Sequence, residues 1–237
     1  MGRAYEVRKA SIQKEGAAKG KLYTNFAKEI YLIARNNPEM ESNVELKRIV
    51  DKAKKMQVPQ DIIKRAIEKA KGKDKEDYKE NYYEGFGPAG STFIVKTLTD
   101  NVNRTVGEVR AAFNKHGKSL GVQGSVSFNY EHLCIIEIKS NKYDEIFERL
   151  VDEGIDLTEY NKEEDMIEIN APSEYEKKIK DIIEELIPGI TFETDEVGYY
   201  SKETIKLEGE DKEEYNKLYK ALEDIDDVTE IYTNVED

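Results

Sequence analysis

Between residues 84 and 128 the chain reads EGFGPAGSTFIVKTLTDNVNRTVGEVRAAFNKHGKSLGVQGSVSF, and no other stretch limits the fold as tightly. Two Gly-rich turns, residues 84–90 and 116–124, bracket a hydrophobic strand, a polar turn and an amphipathic helix. In residues 91–98, Phe93, Val95 and Thr97 alternate with Ile94, Lys96 and Leu98, the period of a strand partly covered on both faces. Residues 99–105 are polar and rich in capping side chains, which predicts a turn whose Asn103 or Thr105 caps a helix over 106–115. Val106, Val109, Ala112 and Phe113 share one face of that helix; Arg104, Glu108, Arg110 and Lys115 are left in water. A loop with Gly117, Gly121 and Gly124 then leads to a short strand predicted over 125–130.

Gly-rich loops beside helices bind anions, so a phosphate cradle has to be weighed. The pattern fails the test. No GxxxxGK[ST] occurs, and Gly85-Phe-Gly-Pro-Ala-Gly90 precedes a strand instead of opening a helix. Turn geometry and close packing are what these glycines imply.

Three motifs, YEGFGPAG (83–90), LTDNVNRTVGEVR (98–110) and FNKHGKSLGVQGSVSF (113–128), closely resemble the YebC family. Its members are described as probable transcriptional regulators, and its mitochondrial relatives as translational activators of cytochrome c oxidase. The resemblance extends over the whole chain in length and layout and implies three domains. Proteins of that family begin with a Trp-Ala-Asn-Ile stretch; here Tyr5 stands about where the Trp would be and offers a ring for a base to stack on.

Composition sets the bounds. At 237 residues, with charged residues at 37% and hydrophobic ones at 38%, the chain suits two or three small domains with much solvated surface. No apolar run approaches the roughly 20 residues needed to cross a bilayer, and residues 1–13 have no hydrophobic core of a secretory signal. The single cysteine, Cys134, sits in an apolar context and reads as a core residue. A cytoplasmic, reducing location is the expectation. The net charge of −13 hides an asymmetry: residues 1–76 carry +8, residues 77–135 are neutral and residues 136–237 carry −21. Such a split points to a polyanion-binding part joined to an acidic remainder.

Taken in order, residues 1–22 form a basic arm with Arg3, Arg8, Lys9, Lys14, Lys19 and Lys21 among small residues, expected to be flexible and able to order on a phosphate backbone. Three amphipathic helices, over 24–36, 43–55 and 60–71, predict a bundle within residues 23–76, and residues 72–82 read as a charged linker. A helix-turn-helix across 58–60 is conceivable, but no set of side chains is poised for base edges, so backbone or shape recognition is expected. Beyond Leu133 the pattern is β-α-β-β-α-β, the ferredoxin-like order. Strand, helix and strand over 199–207, 212–222 and 228–233 then complete a second such fold with the β-α-β of 91–130. The expected class is α+β: a three-helix bundle followed by two ferredoxin-like domains. One is discontinuous (83–131 plus 199–237), and an acidic one is inserted in it (132–198).

No constellation for catalysis is present. His116 and His132 lack partners at metal-ligand spacing, and there is no nucleophile elbow, zinc-protease motif or P-loop. The sequence therefore predicts no enzyme, metal, cofactor, small-molecule substrate or membrane contact. Binding remains, and its candidate residues are the arm (Arg3, Tyr5, Arg8, Lys9, Lys14, Lys19, Lys21), the bundle (Lys28, Lys47, Arg48), and the polar turn with its helix (Asn101, Asn103, Arg104, Arg110, Lys115, Lys118). Arg104 beside two asparagines at a helix start suits a phosphate; equally, it suits an ion pair with Glu108. Three readings follow. One is a nucleic-acid-binding regulator, sharpened by the resemblance to a transcriptional regulator on DNA. Another is a ribosome-associated translation factor that contacts ribosomal RNA and aids synthesis of difficult, proline-rich sequences. The third is a protein-interaction scaffold.

Overall fold

The computed structural model describes residues 19–72 and 77–236, so the expectations for Arg3, Tyr5, Arg8, Lys9 and Lys14 lie outside the described residues. In chain order come helices α1 (Lys19–Asn36), α2 (Val44–Lys55) and α3 (Gln60–Lys71), then β1 (Lys79–Phe86), β2 (Thr92–Thr99), α4 (Val102–Lys115) and β3 (Ser119–Leu120). They are followed by β4 (Tyr130–Lys139), α5 (Tyr143–Asp152), β5 (Glu159–Glu163), β6 (Met166–Pro172), α6 (Glu176–Leu186) and β7 (Phe192–Ser201). The described chain closes with β8 (Ile205–Lys206), α7 (Gly209–Glu223), β9 (Val228–Thr233) and β10 (Val235–Glu236), which pairs with β8. Among the described residues these elements fall into two compact units, one built from residues 19–128 together with 205–235, the other from 129–204.

In the first unit, α1 buries Phe26, Ile30, Tyr31 and Ala34 at helical spacing. They share one core with Leu46, Ile49, Val50 and Ala53 of α2 and Ile63, Ala66 and Ala70 of α3. Asn43 starts α2 by accepting the Leu46 N–H at 3.0 Å. Gln57, at φ 59°, turns the chain, and Val58 closes the turn with its N–H on Ala53 O at 2.9 Å. Helix α1 starts at Lys19, earlier than the apolar period alone suggests, because its first turns carry little to bury.

Beside this bundle lies a four-stranded antiparallel sheet in the order β3-β1-β2-β9. Helices α4 and α7 cover one face, where Phe93 and Val95 of β2 meet Val109 and Phe113 of α4 and Tyr215 and Leu218 of α7. Phe93 sits edge-on to Phe113 and stacks on Tyr215, with centroids 5.9 and 5.4 Å away. Gly85 lets β1 pass directly under Phe113: a Cβ there would lie 2.4 Å from the ring. Gly85→Ala is therefore expected to destabilise the protein by about 1–3 kcal/mol through overpacking, read as a lower urea midpoint at unchanged m-value.

The second unit is β4-α5-β5-β6-α6-β7 with sheet order β5-β6-β4-β7, the ferredoxin-like arrangement. Cys134, Ile136 and Ile138 alternate inward on β4 and pack with Ile146 and Leu150 of α5 and Ile179 and Ile183 of α6. Cys134 is buried, as its apolar context implies, and burial pushes its thiol up to about 12.

The α+β class, with an N-terminal helical bundle and two ferredoxin-like domains, one inserted in the other, is what the structure has. Three local expectations are corrected. Residues 79–86, read as linker and turn, form strand β1, because the whole segment pairs with β2 from Lys79 opposite Thr99 to Phe86 opposite Thr92. The predicted strand over 125–130 is instead a loop and a short 3-10 turn before β4, and it is β3 that pairs with β1. Of the strand predicted over 199–207, residues 199–201 continue β7, which pairs with β4 through Gly198 opposite Leu133, and Ile205–Lys206 form the separate β8.

Candidate nucleic-acid interface

Strand β2 delivers the polar motif TDNVNRT to one end of the sheet. Asn101, not Asn103 or Thr105, caps α4: its Oδ1 accepts the Arg104 N–H at 3.1 Å. Thr105 lies inside the helix and is fully buried. Its hydroxyl and that of Thr99 donate to Asp227 Oδ2 at 2.8 and 2.9 Å. The Arg104 guanidinium bonds the same oxygen at 2.7 Å and Asp100 at 2.9 Å, and Lys28 of α1 reaches Asp227 Oδ1 at 3.0 Å. Burial disfavours the charge on Asp227, yet hydrogen bonds from Arg104, Thr105, Lys28 and Thr99 outweigh it and hold the carboxyl well below the usual range. Arg104 is thus neutralised by two carboxylates, neither of them Glu108. The motif is a joint between bundle and sheet.

The glycine loops have a similar logic. Glu84 is buried at the turn end of β1, and its carboxylate accepts N–H groups of Gly124, Val126 and Ser127 at 2.8, 2.5 and 2.8 Å and the Ser127 hydroxyl at 3.0 Å. Burial works against its charge, but the donors win and lower its pKa. The loop between β3 and β4 is therefore fixed from below while Val122 and Phe128 stand 77% and 73% exposed. Gly87 packs with its Cα against Phe93 and Ser91, where a Cβ would fall 2.5 Å or less away. These glycines serve packing and turns, as their position before a strand implies.

Several further cations, the predicted Lys21 among them, are held inside the fold. Lys21 donates to the carbonyls of Glu223 and Ile225 at the C-terminus of α7; burial lowers its pKa against the pull of Asp226, Glu223 and Asp224. Lys52 pairs with Glu230 at 2.9 Å, and Lys96 lies 3.3 Å from Glu29 and 3.4 Å from Glu80. Others face water. Lys19 and Lys47 are exposed and Arg48 is half-buried on the outer side of the bundle, and Asn101, Asn103, Arg110 and Lys115 are exposed along α4, with Lys118 just beyond it. Among the described residues, Lys64, Arg110, Lys115 and Lys118 form no ion pair.

A groove on the bundle completes the surface. Its cavity of about 240 Å³ runs between α1, α3 and Tyr78. The sequence reading missed it, and with it Arg65 and Lys69, although their spacing of four on α3 places them on one face. Tyr78 went unnoticed because it follows a run of charges.

No group of three or more His, Cys, Asp or Glu among the described residues is placed to hold a metal, and no described helix is long and apolar enough to cross a membrane. The fold and surface define an α+β protein with a helical bundle and two ferredoxin-like domains. Residues 3–73 match the TACO1/YebC N-terminal domain and residues 78–235 the TACO1/YebC second and third domain. The chain belongs to the TACO1/YebC family. It is 41% identical over 99% of its length to a "probable transcriptional regulatory protein" of Acholeplasma laidlawii, covering 98% of that protein. A relative of the same name from Vibrio parahaemolyticus is also 41% identical, with both chains covered in full. A crystal structure of a conserved hypothetical protein from Aquifex aeolicus superposes with a TM-score of 0.72 at 32% identity, covering 94% of this chain and 93% of that one. Relatives named as transcriptional regulatory proteins support a regulatory role.

Proposed function

We propose that this protein is a non-enzymatic cytoplasmic regulator of gene expression that acts by binding nucleic acid, with DNA as the target implied by the names of its relatives. The observation that carries this reading is the sorting of its cations. Lys21, Lys28, Lys52, Lys96 and Arg104 are tied to carbonyls or carboxylates within the fold. Lys64 of the bundle and Arg110, Lys115 and Lys118 at α4 remain for phosphates, supplemented by the cations of the basic arm, residues 1–22, other than Lys21. We assign the contact to this arm, the bundle of residues 23–76 and the turn-and-helix segment. The acidic inserted domain, residues 132–198, takes no part. Phosphate neutralisation positions a protein on nucleic acid without reading sequence, so modest base specificity is expected.

The test is fluorescence anisotropy of the full chain with a labelled DNA duplex between about 50 and 200 mM salt. The logarithm of affinity should fall linearly with the logarithm of salt. Lys64→Glu and Lys115→Glu should each weaken binding uniformly across sequences and reduce that slope by about 1. Salt-independent binding, or none to DNA or RNA, would sink the reading and leave the scaffold role. Ribosomal RNA is the alternative target we propose for the same surface, since recognition of backbone and shape needs no base-reading helix. Tighter, salt-sensitive association with ribosomes than with the duplex would replace DNA by the ribosome as the target.

A further inference from the structure

The groove on the bundle has a composition that backbone neutralisation does not need. Its described lining combines two tyrosines, Tyr31 and Tyr78, apolar Ile62 and Ala66, and cations including Arg65 and Lys69, with no carboxylate among the described lining residues. The two rings meet edge to face, with centroids 6.0 Å apart and planes at 82°, so they form two walls of a corner. Tyr31 is buried and Tyr78 half-buried. Lys69 Nζ stands 5.8 Å from the Tyr31 ring centre and Lys28 Nζ 5.6 Å from that of Tyr78. Arg65 is exposed, and its nearest carboxylate, Asp61, is 3.9 Å away and equally exposed, a pair too long and wet to hold the guanidinium back from a stronger anion.

Size and charge together choose the occupant. A volume of about 240 Å³ falls short of the roughly 300 Å³ at which pockets for drug-sized ligands begin, but it admits one flat ring system. An aromatic corner suits a planar group with a π face, and cations at the rim suit an anion attached to it. An unstacked nucleotide has both. A base inside a duplex cannot enter, because its faces are covered by its neighbours. We infer that the groove between α1, α3 and Tyr78 holds one unstacked base of a single strand, stacked on Tyr78, with the adjoining phosphate on Arg65 and Lys69. This inference rests on the nucleic-acid reading above and deepens it. No amide or carboxylate side chain is among the described lining residues to read a base edge, so the groove takes any base, as stacking platforms do.

The experiment compares the full chain and three variants, Tyr78→Ala, Tyr78→Phe and Ala27→Leu, on a short labelled single strand and on a duplex of the same length. Ala27 lines the groove and is only half-buried, so a larger side chain there fills the cavity from its open side. The expected result is a loss of roughly 10-fold in single-strand affinity for Tyr78→Ala and Ala27→Leu. Tyr78→Phe should stay near the parent, and duplex affinity and salt slope should not change. A strand carrying 5-iodouridine should crosslink to Tyr78 in the unmodified chain, a readout independent of variant folding. Parent-like single-strand binding by both disruptive variants, with no crosslink, would overturn the groove while leaving nucleic-acid binding by the cationic surface intact. Failure of the parent chain to bind any strand would instead overturn both. Self-association that vanishes in Tyr78→Ala would overturn the proposal in favour of a second copy of this chain as occupant.

Discussion

Asp227→Ala should destabilise the first unit by about 3 kcal/mol, the cost of stranding buried donors and a paired lysine. The carboxylate is 4% exposed and satisfies two hydroxyls, Thr99 and Thr105, together with Lys28 and Arg104. Alanine replaces none of these contacts. Asn should recover part of the loss, because its oxygen still accepts from the threonines, but its amide faces Lys28 or Arg104 as donor against donor. The pH dependence has a definite sign. The folded-state pKa of Asp227 is depressed, so its contribution is complete above the unfolded value of about 3.9 and fades as pH falls through the lower folded value. Chemical denaturation at neutral pH and at successive pH values below about 3.9 tests both parts. The variant should lose its stability difference from the parent as the medium becomes acid. No difference from the parent at neutral pH would mean that the four donors find water instead.

This carboxylate also shows where sequence reading stops. Helix α3 was legible to the residue because its apolar period, its opening proline and the Gly72 that ends it are all local signals. The second ferredoxin-like unit was legible because Cys134, Ile136 and Ile138 alternate on a strand buried against two amphipathic helices. Strand β1 was not. Lys79, Glu80 and Tyr82 are exposed and Glu84 is a buried charge, so the segment has too few inward apolar residues to show a strand period. Its identity comes from pairing with β2. The cap of α4 was misplaced for the same kind of reason: Asn101, Asn103 and Thr105 are all good cap residues, and the choice turns on Thr105 reaching Asp227, 122 residues away. Long-range pairing likewise decided which cations remain outside. Lys28 and Lys115 look alike in sequence, yet one meets a carboxylate 199 residues on and the other faces water. Charge counts located the basic end of the chain. They could not say which of its lysines the fold would keep.

The glycine-rich signature, by contrast, gains its meaning from one acidic side chain. Glu84→Gln should lower stability by about 2 kcal/mol, in the range for hydrogen bonds to a charged acceptor, and loosen the loop after β3 more than the rest of the molecule. The carboxylate takes donors on both oxygens: Gly124 N–H and the Ser127 hydroxyl on Oε1, Val126 and Ser127 N–H on Oε2. Glutamine keeps one oxygen and turns an NH₂ toward N–H groups that have no other acceptor, so at least one pair becomes donor against donor. Hydrogen exchange should report this directly, with protection lost first at Gly124, Val126 and Ser127. Because the depressed pKa of Glu84 has the same origin, acid should have the same effect on the parent loop: protection holds above about pH 4.3 and falls as the carboxyl is protonated at lower pH. The functional consequence follows from position. Lys115 and Lys118 lead into this loop, and Val122 and Phe128 project from it. If the loop contributes to the nucleic-acid contact, Glu84→Gln should weaken binding while leaving the salt slope intact, since no cation is removed. Unaltered affinity with lost protection would confine the contact to the bundle and arm.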